Sequence, residues 1–146
     1  MKACDIIETK GSETFSISKD KSIHDAIVIM AEKKIGCLLV LEDGKLIGIL
    51  SERDIISTCA KCPETKKCDI SIESVMTKDV VCGNCDDDIV NIMNKMKEAH
   101  IRHLPILKGD TIEGMVSMRD VVRALLEQTT FENKRLHEYI LGKYPG

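Results

Sequence analysis

Two short stretches hold the residue types that bind small polar ligands, and they share one pattern. "GILSERD" runs from Gly48 to Asp54 and "GMVSMRD" from Gly114 to Asp120. Each reads glycine, two apolar residues, serine, one variable residue, arginine and aspartate. An apolar run that ends this way marks a strand that stops and a helix that starts. Gly48 and Gly114 permit close approach of a ligand or of a neighbouring strand. Ser51 and Ser117 supply a hydroxyl and a natural helix cap. The N–H groups of a helix start favour an anion. The forked guanidinium of Arg53 or Arg119 matches phosphate or carboxylate. Asp54 and Asp120 either cap the helix or accept two hydrogen bonds from a vicinal diol such as a ribose. Ser-x-x-Asp before an apolar pair also has the form of a capping box, so capping alone would explain a single copy. Two copies that both keep the arginine add weight to a ligand.

A second set of candidate ligating residues is made of cysteines. Cys59-x2-Cys62 and Cys82-x2-Cys85 are separated by nineteen residues, with Cys68 between them. That spacing fits a four-thiolate zinc site. Against it, Cys59 matches the apolar Leu125 of the second copy and Cys82 matches Ser16 of an early strand. Inert or redox-sensitive thiols are therefore the competing reading. The chain has seven cysteines and begins "MKACDIIETK", which lacks the apolar core of an export signal. The expectation is a cytoplasmic protein whose cysteines are thiols or metal ligands rather than disulfides.

The elements that position these residues repeat at an offset of 66, as from Gly48 to Gly114. Ile23, Met30 and Ile35 meet Ile89, Met96 and Ile101. Two copies are too few for a solenoid and suggest a pseudo-twofold pair. Each copy begins with a short extended segment, Thr14–Ile17 or Val80–Cys82. An amphipathic helix follows. Ile23, Ala26, Ile27, Met30 and Ala31 form one apolar stripe, and Ile89, Ile92, Met93 and Met96 the other. Ser22 and Asp88 precede the stripes as N-caps. A hairpin comes next, with Asp43-Gly44 suited to a tight primed turn and Gly109-Asp110 at the equivalent place. The Ser-x-Arg-Asp element then opens a second helix, at Asp54 and at Asp120. Each unit is β-α-β-β-α. The expected divisions are a first repeat over 5–62, a polar linker over 63–73, a second repeat over 74–128 and a helical tail over 129–146. Pro63 ends the helix before it. Leu125, Phe131, Leu136, Tyr139 and Ile140 give the tail an imperfect apolar stripe, which either folds back or packs on a second subunit.

With these elements the sequence resembles tandem cystathionine-β-synthase (CBS) domains. The resemblance rests on the paired motifs, the β-α-β-β-α repeat, "SVMTKDVV" (Ser74 to Val81) and "IRHLPIL" (Ile101 to Leu107). It covers about Asp5 to Leu126. It implies an α+β fold, two repeats about a pseudo-twofold axis with a C-terminal helical extension, and clefts that hold adenosine-containing ligands. Those are AMP, ADP, ATP, S-adenosylmethionine or a dinucleotide of the NAD type. By the resemblance, Asp54 and Asp120 hold ribose hydroxyls, and Ser51 and Ser117 lie near ribose or phosphate. Arg102 and His103, at the start of the first hairpin strand of copy two, reach phosphates, and Pro105 follows them among the nucleotide-binding residues. Backbone groups near Thr14 and Val80 read the adenine edge. Copy one has Gly36 and Cys37 where copy two has Arg102 and His103, so one stronger phosphate-binding cleft is expected. The zinc site has no counterpart in the resemblance. His24, His100 and His137 read as ordinary surface residues.

Composition narrows the function classes. Hydrophobic residues make up 43% and charged residues 31% of the chain, with a net charge of −3. That balance lacks the basic footprint of a nucleic-acid binder and does not favour an anionic membrane surface. Aromatics are 3%, too few for stacking on single strands. No paired carboxylates, nucleophile–base arrangement or Walker loop appears in a persuasive context, so no enzymatic activity is expected. The leading expectation is a regulatory sensor, homodimeric, that signals to a separate and unidentified protein. The alternative is a structural or interaction dimer with degenerate clefts, possessing a cysteine-based metal or redox site.

Overall fold

Ser22 and Asp25 start the first repeat's helix together. Asp25 N–H donates to Ser22 Oγ at 3.2 Å and Ser22 N–H donates to Asp25 Oδ2 at 3.1 Å. This reciprocal box satisfies two backbone donors that a helix start leaves without partners. The computed structural model describes residues 1–61 and 69–142. Its helices are α1 (Ala3–Lys10), α2 (Ile23–Lys33), α3 (Glu52–Lys61), α4 (Ile89–Ala99) and α5 (Met118–Ile140). Its strands are β1 (Ser16–Ile17), β2 (Cys37–Glu42), β3 (Lys45–Ser51), β4 (Gly83–Asn84), β5 (His103–Lys108) and β6 (Thr111–Ser117). They form two three-stranded sheets, in the orders β1-β2-β3 and β4-β5-β6, giving a mixed α+β fold.

The repeat is accurate to the level of register. Ile17 pairs with Val40 and Gly83 with Ile106, each a parallel match, and the two pairs differ by the same 66 residues. The second early strand therefore begins at Gly83 rather than covering Val80–Cys82. The expected primed turn is present: Asp43 and Gly44 have φ of 51° and 78°. Lys34 and His100 end α2 and α4 in matching left-handed conformations, at φ of 56° and 55°. Asp88 is the N-cap of α4 by position, although its side chain accepts no cap hydrogen bond. The tail continues α5 without a break to Ile140.

Packing divides the chain in a way its order does not. One unit comprises Glu13–Cys82 with Gly109–Ile112. The other comprises Met1–Ser12, Gly83–Lys108 and the chain from Glu113 onward. The first unit's core joins Ile23, Ala26 and Met30 of α2 to Leu38, Val40, Leu50 and Ile55, and it also takes in Ile72. Ile72 belongs to a single 3₁₀ turn, Ile72–Ser74, near the end of the linker. Backbone bonds from Ile23 N–H to Ile70 O and from Ile72 N–H to Lys21 O, both 2.9 Å, tie it there. The second unit's core joins Ile89, Ile92 and Met96 of α4 to Leu104, Ile106, Val116 and Val121, and it takes in Ala3, Ile6 and Ile7 of α1. Thus the lead segment of each repeat fills the core of the other.

Gly83 is fixed by that core. A Cβ there would lie 2.6 Å from Ile92 Cδ1, 2.9 Å from Ile106 Cδ1 and 3.0 Å from Leu104 Cδ2. All three side chains belong to fully or almost fully buried residues. Gly83→Ala is expected to overpack the site and cost about 1–2 kcal/mol. A lowered urea midpoint with an unchanged m-value is the checking measurement.

Candidate functional site

Both motifs fold as the strand-to-helix junction that their pattern describes. Ser51 ends β3 and Ser117 ends β6, and the following helix begins at the next residue. Backbone geometry repeats here as well. Glu52 N–H donates to Gly36 O at 2.9 Å, and Met118 N–H donates to Arg102 O at 2.8 Å. The strand that opens each hairpin is thereby tied to the start of the motif helix.

In the first unit Asp54 closes a capping box. Ser51 N–H donates to Asp54 Oδ2 at 2.9 Å, and Asp54 N–H donates to Ser51 Oγ at 3.3 Å. The Ser51 hydroxyl lies 3.1 Å from the same carboxylate oxygen. A further neighbour comes from the lead segment of the second repeat: Thr77 Oγ1 is 3.3 Å from Asp54 Oδ1. Among the described residues Asp54 takes part in no ion pair. Gly48 faces this segment too. A Cβ on it would meet Met76 Sδ at 2.5 Å and Thr77 O at 3.1 Å. The bonds from Ile49 N–H to Thr77 O and from Thr77 N–H to Ile49 O hold that approach in place.

In the second unit the same box has a different neighbour. Ser117 N–H donates to Asp120 Oδ2 at 2.8 Å and Asp120 N–H donates to Ser117 Oγ at 3.1 Å. The lead segment is now α1, and its last residue contributes a cation. Lys10 Nζ lies 2.6 Å from Asp120 Oδ2 and 2.9 Å from Met115 O. Burial pushes the Asp120 carboxyl up, but hydrogen bonds from the Lys10 ammonium and from Ser117 outweigh it. The carboxyl is therefore held below its ordinary range. Gly114 faces Ile7, whose three nearest carbons would lie 3.1 to 3.2 Å from an added Cβ. Both motif glycines thus admit a neighbouring lead segment, which at Gly114 is the helix α1 rather than the strand expected.

The remaining predicted residues are distributed around these junctions. Arg53 and Arg119 are exposed on the first turns of α3 and α5, and Arg102 is exposed ahead of β5. His103 is half-buried at the start of β5, and Pro105 is buried within it. Thr14 is half-buried just before β1. Val80 is half-buried, and its N–H donates to Lys78 O at 3.0 Å, within its own turn. Lys10 and Thr77 were not singled out by sequence. Each comes from the repeat other than the one whose motif it faces, and no spacing within a repeat signals that exchange.

The cysteine expectations need correction. Cys85 is joined to Cys4 in a disulfide, with a Cα–Cα distance of 4.7 Å. The backbones run together there: Cys4 N–H donates to Cys85 O at 3.2 Å. Cys85 is therefore a bonded half-cystine, not a thiolate ligand beside Cys59, Cys62 and Cys82. Cys62 and Cys68 lie outside the described residues. Cys37, Cys59 and Cys82 are thiols, with Cys59 packed against the first unit's core and Cys82 Sγ 3.7 Å from Val80 O. Among the described residues, no group of three or more potential ligands is placed to hold a metal ion.

The fold and these junctions define a class: a duplicated β-α-β-β-α module with one capped aspartate per strand-to-helix junction. The CBS domain family model matches residues 5–61 and 72–127. The chain belongs to the CBS domain family and carries two of its domains in tandem. It is 29% identical to the mitochondrial CBS domain-containing protein CBSX3 of Arabidopsis thaliana, over 96% of this chain and 72% of that one. The crystal structure of the CBS-domain containing protein ATU1752 from Agrobacterium tumefaciens superposes with a TM-score of 0.81. It is 29% identical, covering 85% of this chain and 98% of that one. The CBS domain pair of protein MJ0100, solved in complex with 5′-methylthioadenosine and S-adenosyl-L-methionine, has the same fold. Its TM-score is 0.71 at 24% identity, covering 88% of this chain and 98% of that one.

Proposed function

We propose that this protein is a non-enzymatic regulatory sensor that binds an adenosine-containing ligand at its CBS motifs and reports occupancy to a separate protein. The observation that carries the reading is the carboxylate of Asp54. Its capping box fixes it at a helix start, beside the neutral hydroxyls of Ser51 and Thr77. A carboxylate offers about four lone-pair positions; Ser51 occupies two on Oδ2, and a ribose diol can take the two on Oδ1 by displacing the Thr77 hydroxyl. The adenosine ligands bound by the MJ0100 domain pair support the same ligand class. Phosphate number depends on Arg53, Arg102 and His103, and AMP, ADP, ATP and S-adenosylmethionine all fall within the proposal.

The proposal includes a homodimer; the cytoplasmic placement expected from the sequence runs against the Cys4–Cys85 bond, because disulfides are rare in a reducing compartment. Phe131, Leu136, Tyr139 and Ile140 are between 59% and 71% exposed along α5, so the tail does not bury its stripe within this chain. A second copy would cover it. The function is tested by thermal unfolding with a panel of adenosine, AMP, ADP, ATP and S-adenosylmethionine, with GMP as control. A ligand that binds only the folded form at one hundred times its Kd adds about 2.7 kcal/mol and raises Tm. Silence across the adenine panel would remove the reading.

A further inference from the structure

The two motif aspartates have unequal partners, and the inequality comes from a residue outside either motif. In the first unit the lead segment presents Thr77, a neutral hydroxyl 3.3 Å from Asp54. In the second it presents Lys10, an ammonium 2.6 Å from Asp120. Lys10 is firmly placed. It ends α1, whose Ile6 and Ile7 are buried in the core. The other end of α1 is tied down by the Cys4–Cys85 bond and by Ala3 N–H donating to Asp87 O at 2.9 Å. Met115 O accepts from the same ammonium. The side chain of Asp120 is only 11% exposed beneath it.

We infer that Lys10 is a specificity-determining residue that closes Asp120 to neutral diols and leaves Asp54 as the ligand-holding aspartate. The inference rests on the reading of the motif aspartates as ribose acceptors. A charge-assisted hydrogen bond is stronger than one from a neutral hydroxyl. Lys10 and Ser117 N–H both donate to Oδ2, so a ribose diol that engages both oxygens of this nearly covered carboxylate has to displace the ammonium from Oδ2. At Asp54 the same ribose exchanges one hydroxyl for another. The result reverses the expectation drawn from Arg102 and His103, which made the second motif the stronger site.

The test uses calorimetric titration of the full chain with adenosine and AMP, first for wild type and Asp54→Ala. Lys10→Met is then added to Asp54→Ala, with Lys10→Gln as a second variant that also keeps much of the side-chain stem. Lys10→Met in the Asp54→Ala background is expected to raise affinity for both probes at least about tenfold, the effect of one charge-assisted bond. A further Asp120→Ala is expected to erase that gain. Unchanged affinity with both Lys10 variants overturns the inference, and so does a loss confined to AMP, which would make Lys10 a phosphate contact. Wild type that binds while neither Lys10 variant gains refutes the inference alone. Absence of binding in every variant refutes the ligand reading together with it.

Discussion

Oxidised protein carrying Cys4→Ser is expected to unfold with about 2–4 kcal/mol less stability than wild type. The bond it removes joins residues 81 apart in sequence, both of which belong to one packed unit. The whole of Glu13–Cys82 lies between them in the chain. Closing so long a loop restricts the unfolded chain strongly, and the chain-entropy model gives about 4.5 kcal/mol for it, an upper figure from which measured values usually fall short. Folded-state consequences add to this, because α1 supplies Ala3, Ile6 and Ile7 to the core. Without the bond, α1 is held by those apolar contacts, a few backbone bonds and Lys10. Dithiothreitol should therefore lower the denaturation midpoint of wild type toward that of Cys4→Ser, and leave the variant where it was. Equal midpoints for oxidised wild type and Cys4→Ser would show that the bond contributes nothing to stability. Mass spectrometry of the intact, alkylated chain establishes beforehand that the two sulfurs are joined.

That bond also shows where sequence reading stops. Periodicity located the helices α2 and α4, because a stripe such as Ile23, Ala26 and Met30 meets a core only in a helix. The Asp43-Gly44 pair located a hairpin, because two successive positive φ angles tolerate few other residues. The Ser-x-Arg-Asp elements located both strand-to-helix junctions, since capping is a local property. Each of these signals is written within a few residues. Exchange of the lead segments is not. Ile7 facing Gly114 and Met76 facing Gly48 are contacts between distant residues of different repeats, and neither segment's composition names its destination. The cysteine reading failed for the same reason: spacing counted Cys85 with Cys82, whereas the fold places it against Cys4. Residues that face the motif aspartates were missed with them. Lys10 reads in sequence as an ordinary basic residue at a helix end, favoured there by the helix dipole, and only the fold sets it on Asp120.

Asp54→Ala is expected to weaken binding of an adenine ligand about 10- to 100-fold. Hydrogen bonds to a charged acceptor contribute about 1.5–3 kcal/mol, and each 1.4 kcal/mol is a factor of ten in affinity. Capping complicates the reading, because the same carboxylate accepts from Ser51 N–H at 2.9 Å. Loss of a cap costs about 1 kcal/mol of stability and would lower Tm without any ligand present. Two further variants separate the roles. Ser51→Ala removes the hydroxyl that receives Asp54 N–H but keeps the carboxylate, so it should lower Tm with a smaller change in affinity. Asp54→Asn keeps an oxygen able to cap but removes the charge, so it should preserve most of Tm while losing affinity. If Asp54→Asn binds as tightly as wild type, the charge of Asp54 has no part in holding the ligand. If Ser51→Ala and Asp54→Ala lower Tm and affinity in the same proportion, the motif acts through the helix start it caps, and a ribose bond to Asp54 is excluded. The ordering that supports a direct bond is therefore specific: affinity falls most for Asp54→Ala, next for Asp54→Asn and least for Ser51→Ala, whatever the order of their melting temperatures.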